Sequence, residues 1–290
     1  MISRRRFMMT AAVVTATGAL ASWPLSAANA AGPALELTAY IDGSALDRAT
    51  VLQWEAARIQ GATQRLRYWL PGALLAEFDV LLDAAPGIAT VDQDRERLAD
   101  LKMGLGEDRI REILAADLMV TGPASHLAAA TGSWAVSRTE VTSTLGTAQG
   151  FVNWFNSRIN ANDERAMLVA CPDHYLIRTP GPGVQEVIEV TGGAVLGARF
   201  VIDYADDAGV PIAVDPAFPV RAAGWARDDC GTRIGAVRHQ FQDNPQGGFR
   251  AKLAVAFPAV MPPEMISTHQ WHLACEFSNW VTAYTASIRT

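Results

Sequence analysis

From about residue 44 to 130 the apolar residues recur every three or four positions, as in "SALDRATVLQWEAARIQGATQRLRYWL" and "DRERLADLKMGLGEDRIREILAADLMV". That period places them on one face of a helix, and the Gly, Pro and Asp between the segments mark the breaks. Beyond Gly132 the texture changes to alternation rich in β-branched and aromatic residues, which predicts strands. The segments are "AVSRTEVTSTL", "AMLVAC", "HYLIRT", "QEVIEVT", "ARFVIDYA", "VRAAGWARD", "GAVRHQFQD" and "FRAKLAVAFP". "NPQGG" at 244–248 joins the last two as a hairpin, and "TAQGFVNWFNSRI" at 147–159 interrupts the series as a short helix. Pro262, Pro263 and Glu264 then open a run free of Gly and Pro that nearly reaches Thr290, with Leu273, Phe277, Trp280 and Val281 at helical spacing. Proline is favoured at a helix start, so a long C-terminal helix is expected.

An antiparallel series of strands ending in one long helix predicts an α+β fold. A curved sheet would wrap the helix, because its concave face needs apolar cover, and a ligand cavity would lie between them. The expected organisation is a signal over 1–30, a helical N-terminal region over 31–132 and a sheet-and-helix domain over 133–290. The opening residues combine a basic start, an apolar middle and the small-residue site Ala28-Asn29-Ala30, as in a cleaved export signal. Ser3-Arg4-Arg5-Arg6-Phe7-Met8 matches the twin-arginine pattern, which implies the twin-arginine export machinery as a partner and a periplasmic or secreted mature protein. Gly18, Ser22 and Pro24 interrupt the stretch before it reaches a membrane-spanning length.

Composition narrows the function classes. Half of the 290 residues are apolar, enough for a substantial core. The formal charge is −6, and removing the signal takes away three arginines, so the mature chain is more acidic still. No basic stripe is present to neutralise phosphates, which argues against nucleic acid and for a small neutral or cationic ligand. Three cysteines, Cys171, Cys230 and Cys275, form no CxxC pair and describe neither a disulfide framework nor a zinc knuckle.

The candidate chemistry lies in the histidines and carboxylates. In "THQWHLACEFSNW" His272 and Glu276 stand one helical turn apart, so an imidazole nitrogen and a carboxylate oxygen share a face and supply half of a metal site. His269, three residues earlier, competes for the same role. Further ligands should come from the sheet: His174 opens the strand in "CPDHYLIRT", and Glu186 and Glu189 lie on the next one. Alternation puts those two glutamates on opposite faces without choosing between them. His239, in "VRHQFQD", shares a face with Val237 and Phe241.

Four segments together, "WFNSRINANDERAMLVACPDHYLI", "EVIEVTGG", "AAGWARDDCGTRIGAVRHQFQDNPQGGFRAKLAVAFP" and "HLACEFSNW", resemble the diacetylphloroglucinol hydrolase family, phloretin hydrolase-like enzymes included. The resemblance covers about residues 147–290. It implies a Bet v 1-like helix-grip fold and a zinc-dependent (Zn2+) hydrolase that cleaves the carbon–carbon bond between an acyl group and a phenolic ring. It also implies His174, Glu189, His272 and Glu276 as the zinc ligands, favouring Glu189 over Glu186, and a small-molecule aromatic ketone as substrate. Loss of the acyl group requires a proton at the departing ring carbon, for which His239 is the candidate, with Arg238 and Tyr175 as candidates for holding phenolic oxygens. Trp154 and Trp225 are candidates for an aromatic pocket wall or for packing. A non-catalytic helix-grip protein that binds a hydrophobic small molecule is the alternative expectation.

Overall fold

The computed structural model describes residues 34–70 and 87–289; the expected signal lies outside them. The described residues belong to one compact unit. The first elements among the described residues form a hairpin, β1 (Leu37–Ile41) and β2 (Ser44–Asp47), whose turn residues Asp42 and Gly43 both have positive φ, 50° and 78°. An Asp-Gly pair is suited to that turn because both positions need left-handed backbone. Asp47 then caps α1 (Arg48–Arg67), its carboxylate accepting the Thr50 N–H at 2.8 Å. A long helical segment, α2 (Val91–Ala129), is interrupted at Gly106, whose φ of 73° no helix accommodates.

The sheet strands that follow are β3 (Trp134–Ser143), β4 (His174–Gly181), β5 (Val184–Glu189), β6 (Ala198–Asp203), β7 (Val220–Arg227), β8 (Arg233–Asp243) and β9 (Phe249–Pro258). Between β3 and β4 lie α3 (Ala148–Asn160) and α4 (Glu164–Leu168), and α5 (Pro263–Ser287) closes the fold. The nine strands among the described residues join one antiparallel sheet in the order β2-β1-β3-β9-β8-β7-β6-β5-β4.

Two expectations need correction. "AMLVAC" is not a strand: Asp163 accepts the Ala166 N–H and starts the short helix α4, which buries Met167 and Leu168. Nor does the sheet begin after residue 132. Ser44–Asp47 is extended, and β1 pairs with β3 over Leu37–Tyr40, so the N-terminal region supplies one edge of the sheet.

One face of the sheet packs on α5. Leu273, Phe277, Trp280, Val281 and Tyr284 meet Phe151 and Phe155 of α3 and Phe241, Phe249 and Leu253 of β8 and β9. Burying each large side chain contributes roughly 1.5–3 kcal/mol, so this cluster dominates the core. On the opposite face of β4 and β5, Tyr175, Leu176 and Ile188 pack against Ile59 and Leu66 of α1 and Leu98, Ile110 and Leu114 of α2. Among the described residues no helix is long and apolar enough to cross a membrane.

A buried polar network joins α1 to α5. Asn279 donates to Glu55 Oε1 (3.1 Å) and to the Ala170 carbonyl (2.8 Å), Arg48 donates to Asn279, and Arg95 of α2 holds both carboxylate oxygens of Glu55. Glu55 is fully buried, so its removal leaves guanidinium groups without their counter-charge. Glu55→Ala should therefore lower stability by about 3 kcal/mol or more, read as a lower urea midpoint.

Candidate metal centre

Four side chains from three elements converge at one end of the cavity. His174 opens β4, Glu189 closes the paired strand β5 opposite it, and His272 and Glu276 project from one face of α5. His174 Nε2 lies 3.5 Å from Glu189 Oε2 and 3.4 Å from Glu276 Oε2, and His272 Nε2 lies 3.7 Å and 3.6 Å from the same two oxygens. Nitrogen and oxygen alternate around this ring. Zinc bonds of 2.0–2.2 Å in a tetrahedral arrangement put neighbouring donors about 3.3–3.6 Å apart, which the four separations around the ring approach, and two imidazole nitrogens with two carboxylate oxygens are a donor set that suits such an ion.

Each imidazole is aimed by what its other nitrogen meets. His174 Nδ1 faces the Met167 carbonyl at 3.4 Å, and His272 Nδ1 faces Asp173 Oδ2 at 3.6 Å. Asp173 is itself held by Arg58 of α1, whose Nε donates to Oδ1 at 2.8 Å. This carboxylate–imidazole arrangement orients a ligand and raises its basicity. Lys102 of α2 is buried and donates to the backbone carbonyls of Pro172 (2.7 Å) and His174, fixing the start of β4; burial lowers it to about 7. A bulge at Tyr175 lets His174 and Ile177 both line the cavity although they are three residues apart. At the end of β5, Gly192 (φ 53°) lies so close to α5 that a Cβ there would sit 2.6 Å from the backbone nitrogen of His269, so only glycine permits the approach.

The charges follow from burial and pairing. Burial disfavours ionised Glu276, but His174 and His272 outweigh it and hold the carboxyl far below its usual range. Burial likewise opposes a charged His272, yet Glu189, Asp173 and Glu276 raise it well above an ordinary histidine. Asp173 is shifted down: burial is overcome by His272 and Arg58.

Rival ligands separate by geometry. Donor atoms of Cys171, His174 and His272 lie within 4.8 Å of one another, as do those of Glu189, His269 and His272. Cys171 Sγ approaches His272 Nδ1 (3.6 Å), the nitrogen turned away from the glutamates, and burial raises its thiol well above the usual range. A thiol kept protonated there is an inert core group. His269 stacks on the His272 ring at 5.0 Å and directs Nδ1 to Ser137 Oγ at 3.2 Å; burial, aided by His272, pushes its pKa far down, so it is neutral.

Glu186 and Glu189 are three residues apart and on opposite faces. Glu186 is gripped by Arg111, Arg178 and Arg199 at 2.5–2.7 Å on the N-terminal-helix side, and these guanidiniums outweigh burial to hold it at about 2. It is a tie between the sheet and α2, away from the cavity.

The cavity itself measures about 510 Å³. Val187, Phe200, Ile202, Val237, Phe277 and Trp280 line it, and among the described residues no lysine or arginine does. His239 lies on its wall, 4.8 Å from the Phe277 ring, with its Nδ1 buried and lacking a hydrogen-bond partner among the described residues. Burial, opposed only by Glu276, lowers His239 to about 4.

The other two candidates are not brought there. Arg238, one position along β8 and on the other face, reaches the Asp207 carbonyl at 3.3 Å. Tyr175 packs among the N-terminal helices with Lys102 over its ring at 4.7 Å. Trp154 packs on Phe151 and Tyr284, and Trp225 on Trp134, so both tryptophans are packing residues outside the cavity wall. Sequence reasoning passed over Tyr204, whose hydroxyl donates to Gln185 Oε1 at 3.2 Å on the cavity wall. The alternation Ala198, Phe200, Ile202, Tyr204, all lining the cavity, was the available signal. Asp173 and Arg58 carried no sequence signal beyond the adjacency of Asp173 to His174.

No protein-family model and no curated protein sequence matches the chain. A solved structure titled "Crystal structure of Ara h 8.0201" aligns with 53% of this chain and 99% of its own length at 16% identity, with a TM-score of 0.34.

Asp173→Asn should weaken metal affinity by roughly 10–100-fold while leaving one ion per chain at saturation, measured by competition with a chromophoric chelator. Glu189→Gln should abolish stoichiometric binding, and Glu186→Gln should leave it intact. The latter should instead cost about 1.5–3 kcal/mol of stability. Because Glu186 is depressed when folded, its contribution is full above the ordinary carboxylate range and disappears as pH falls from about 4 to about 2, checked by denaturation at stepped pH.

Proposed function

We propose that this chain is an exported zinc-dependent hydrolase that cleaves the carbon–carbon bond joining an acyl group to a phenolic ring, on a helix-grip fold of the Bet v 1 type. The observation that carries the proposal is the alternating ring of two imidazole nitrogens and two carboxylate oxygens, 3.4–3.7 Å apart, at an apolar cavity. The likeness to the diacetylphloroglucinol hydrolase family, carried by the same four positions, supports the choice of reaction.

His174, Glu189, His272 and Glu276 would hold the ion, and zinc bound there supplies Lewis acidity toward an acyl carbonyl and toward water. The remaining work falls to the protein. Val187, Phe200, Ile202 and Phe277 surround an aromatic ketone and exclude bulk water from it, and the Tyr204–Gln185 pair offers a polar contact on the wall. Overall, water adds across the bond: its oxygen joins the acyl carbon to give a carboxylic acid, and its hydrogen ends on the ring carbon. His239 is neutral near pH 7, so it serves first as a base. The imidazole takes a proton as water is consumed, and the imidazolium formed returns that proton to the departing ring carbon.

Apolar lining also suits a protein that only stores a hydrophobic ligand, and one experiment separates the two. Signal-cleaved protein is analysed for metal and incubated with an acylphloroglucinol in oxygen-18 water. One zinc per chain, with a labelled carboxylic acid and the deacylated phenol detected by mass spectrometry, is the expected result. A metal-free chain that binds the ketone and leaves it intact establishes the storage role. His239→Gln should keep the zinc and lose product formation by about 10²-fold or more.

A further inference from the structure

A second group of metal-type donors lies outside the cavity centre, on the surface. His126 belongs to the last turn of α2, whereas Asp228 and Cys230 lie on the turn between β7 and β8. His126 Nδ1 is 2.7 Å from Asp228 Oδ2. The other oxygen, Oδ1, accepts the backbone N–H groups of Cys230 (2.9 Å) and Thr232 (2.8 Å), which fixes the carboxylate with Oδ2 turned toward the imidazole. Cys230 is the exposed cysteine; Cys171 and Cys275 are buried. One donor atom from each of His126, Asp228 and Cys230 lies within 4.8 Å of the other two.

An imidazole, a carboxylate and a thiolate make a mixed set that a borderline-soft cation prefers, whereas magnesium and calcium take oxygen donors. With the Asp228 carboxylate fixed, contraction of the three donors onto one ion falls to the exposed side chains of His126 and Cys230, and solvent supplies a fourth position. The placement has a consequence for the cavity. Thr121, Ala124 and Ser125, just before His126, line the cavity, and so do Ile234, Gly235 and Ala236 at the start of β8. An ion held here spans from the end of α2 to the β7–β8 turn.

We propose that His126, Asp228 and Cys230 form a second, surface site for a thiophilic divalent cation such as zinc, which fastens the end of α2 to the β7–β8 turn beside the cavity.

The site is tested with the signal-cleaved chain in two ways. Metal-free protein is titrated with cobalt(II): the inner centre has no sulfur ligand, so a thiolate-to-cobalt charge-transfer band reports on Cys230 alone. A thiol reagent is also timed against Cys230 with and without zinc, where zinc at ten times its dissociation constant should slow labelling about tenfold. The expected result is a band that develops with occupancy of a second equivalent, protection by zinc but not by magnesium, loss of the band in Cys230→Ser, and loss of both in His126→Ala. Labelling cannot be followed in Cys230→Ser, so protection there is judged in His126→Ala. Both substitutions are at exposed positions, and an unchanged circular dichroism spectrum and inner-site stoichiometry exclude misfolding. Labelling at the same rate with and without zinc overturns the proposal, as does a charge-transfer band that persists in Cys230→Ser.

Discussion

Two carboxylates and two imidazoles buried at one end of an apolar cavity form the constraint on which the rest of the site depends. Glu189, Glu276, His174 and His272 are each at most 7% exposed, where an isolated ionised group would be prohibitive. Their solution is mutual: one oxygen of each carboxylate faces two imidazole nitrogens, and each imidazole has a polar partner behind it. The arrangement requires α5 to sit at a fixed height over β4 and β5. Gly192 sets that height by letting backbone approach His269, and the aromatic cluster around Phe277 and Trp280 maintains it.

Viewed from this centre, the N-terminal helices are part of the machinery. Arg58 holds Asp173 behind His272, Lys102 holds the carbonyls of Pro172 and of His174 itself, and Glu55 ties α1 to Asn279 three residues beyond Glu276. The helix α4 supplies the Met167 carbonyl behind His174. Remote elements thereby set the direction of two imidazoles, which is how a catalytic or binding centre gains precision without extra ligands.

Strand β5 shows how one element serves two purposes. Its alternation sends Gln185, Val187 and Glu189 to the cavity and Glu186 and Ile188 to the helices. Both glutamates are buried, but Glu186 spends its charge on three arginines while Glu189 faces histidines. The same rule applies on β8, where His239 looks into the cavity and Arg238 away from it. A strand neighbour of a site residue is therefore a poor candidate for the same site, and a residue two positions away a better one.

By itself the sequence determined what depends on local period. The strands from β3 to β9, the hairpin at 244–248, α3, the long C-terminal helix and the shared face of His272 and Glu276 all follow from spacing along a few turns or pleats. Short segments defeated it. Ser44–Asp47 and "AMLVAC" took their states from a hairpin partner and a helix cap, which compete with propensity on nearly equal terms. Period also showed that Glu186 and Glu189 must part company, but not which one faces inward, since both choices give the same alternation. The family resemblance favoured Glu189, and the tertiary structure gave the physical reason, by placing α5 on one side of the sheet and three arginines on the other. It alone could bring Arg58 to Asp173 across 115 residues, because long-range contact is fixed by packing in three dimensions and leaves no trace in local pattern.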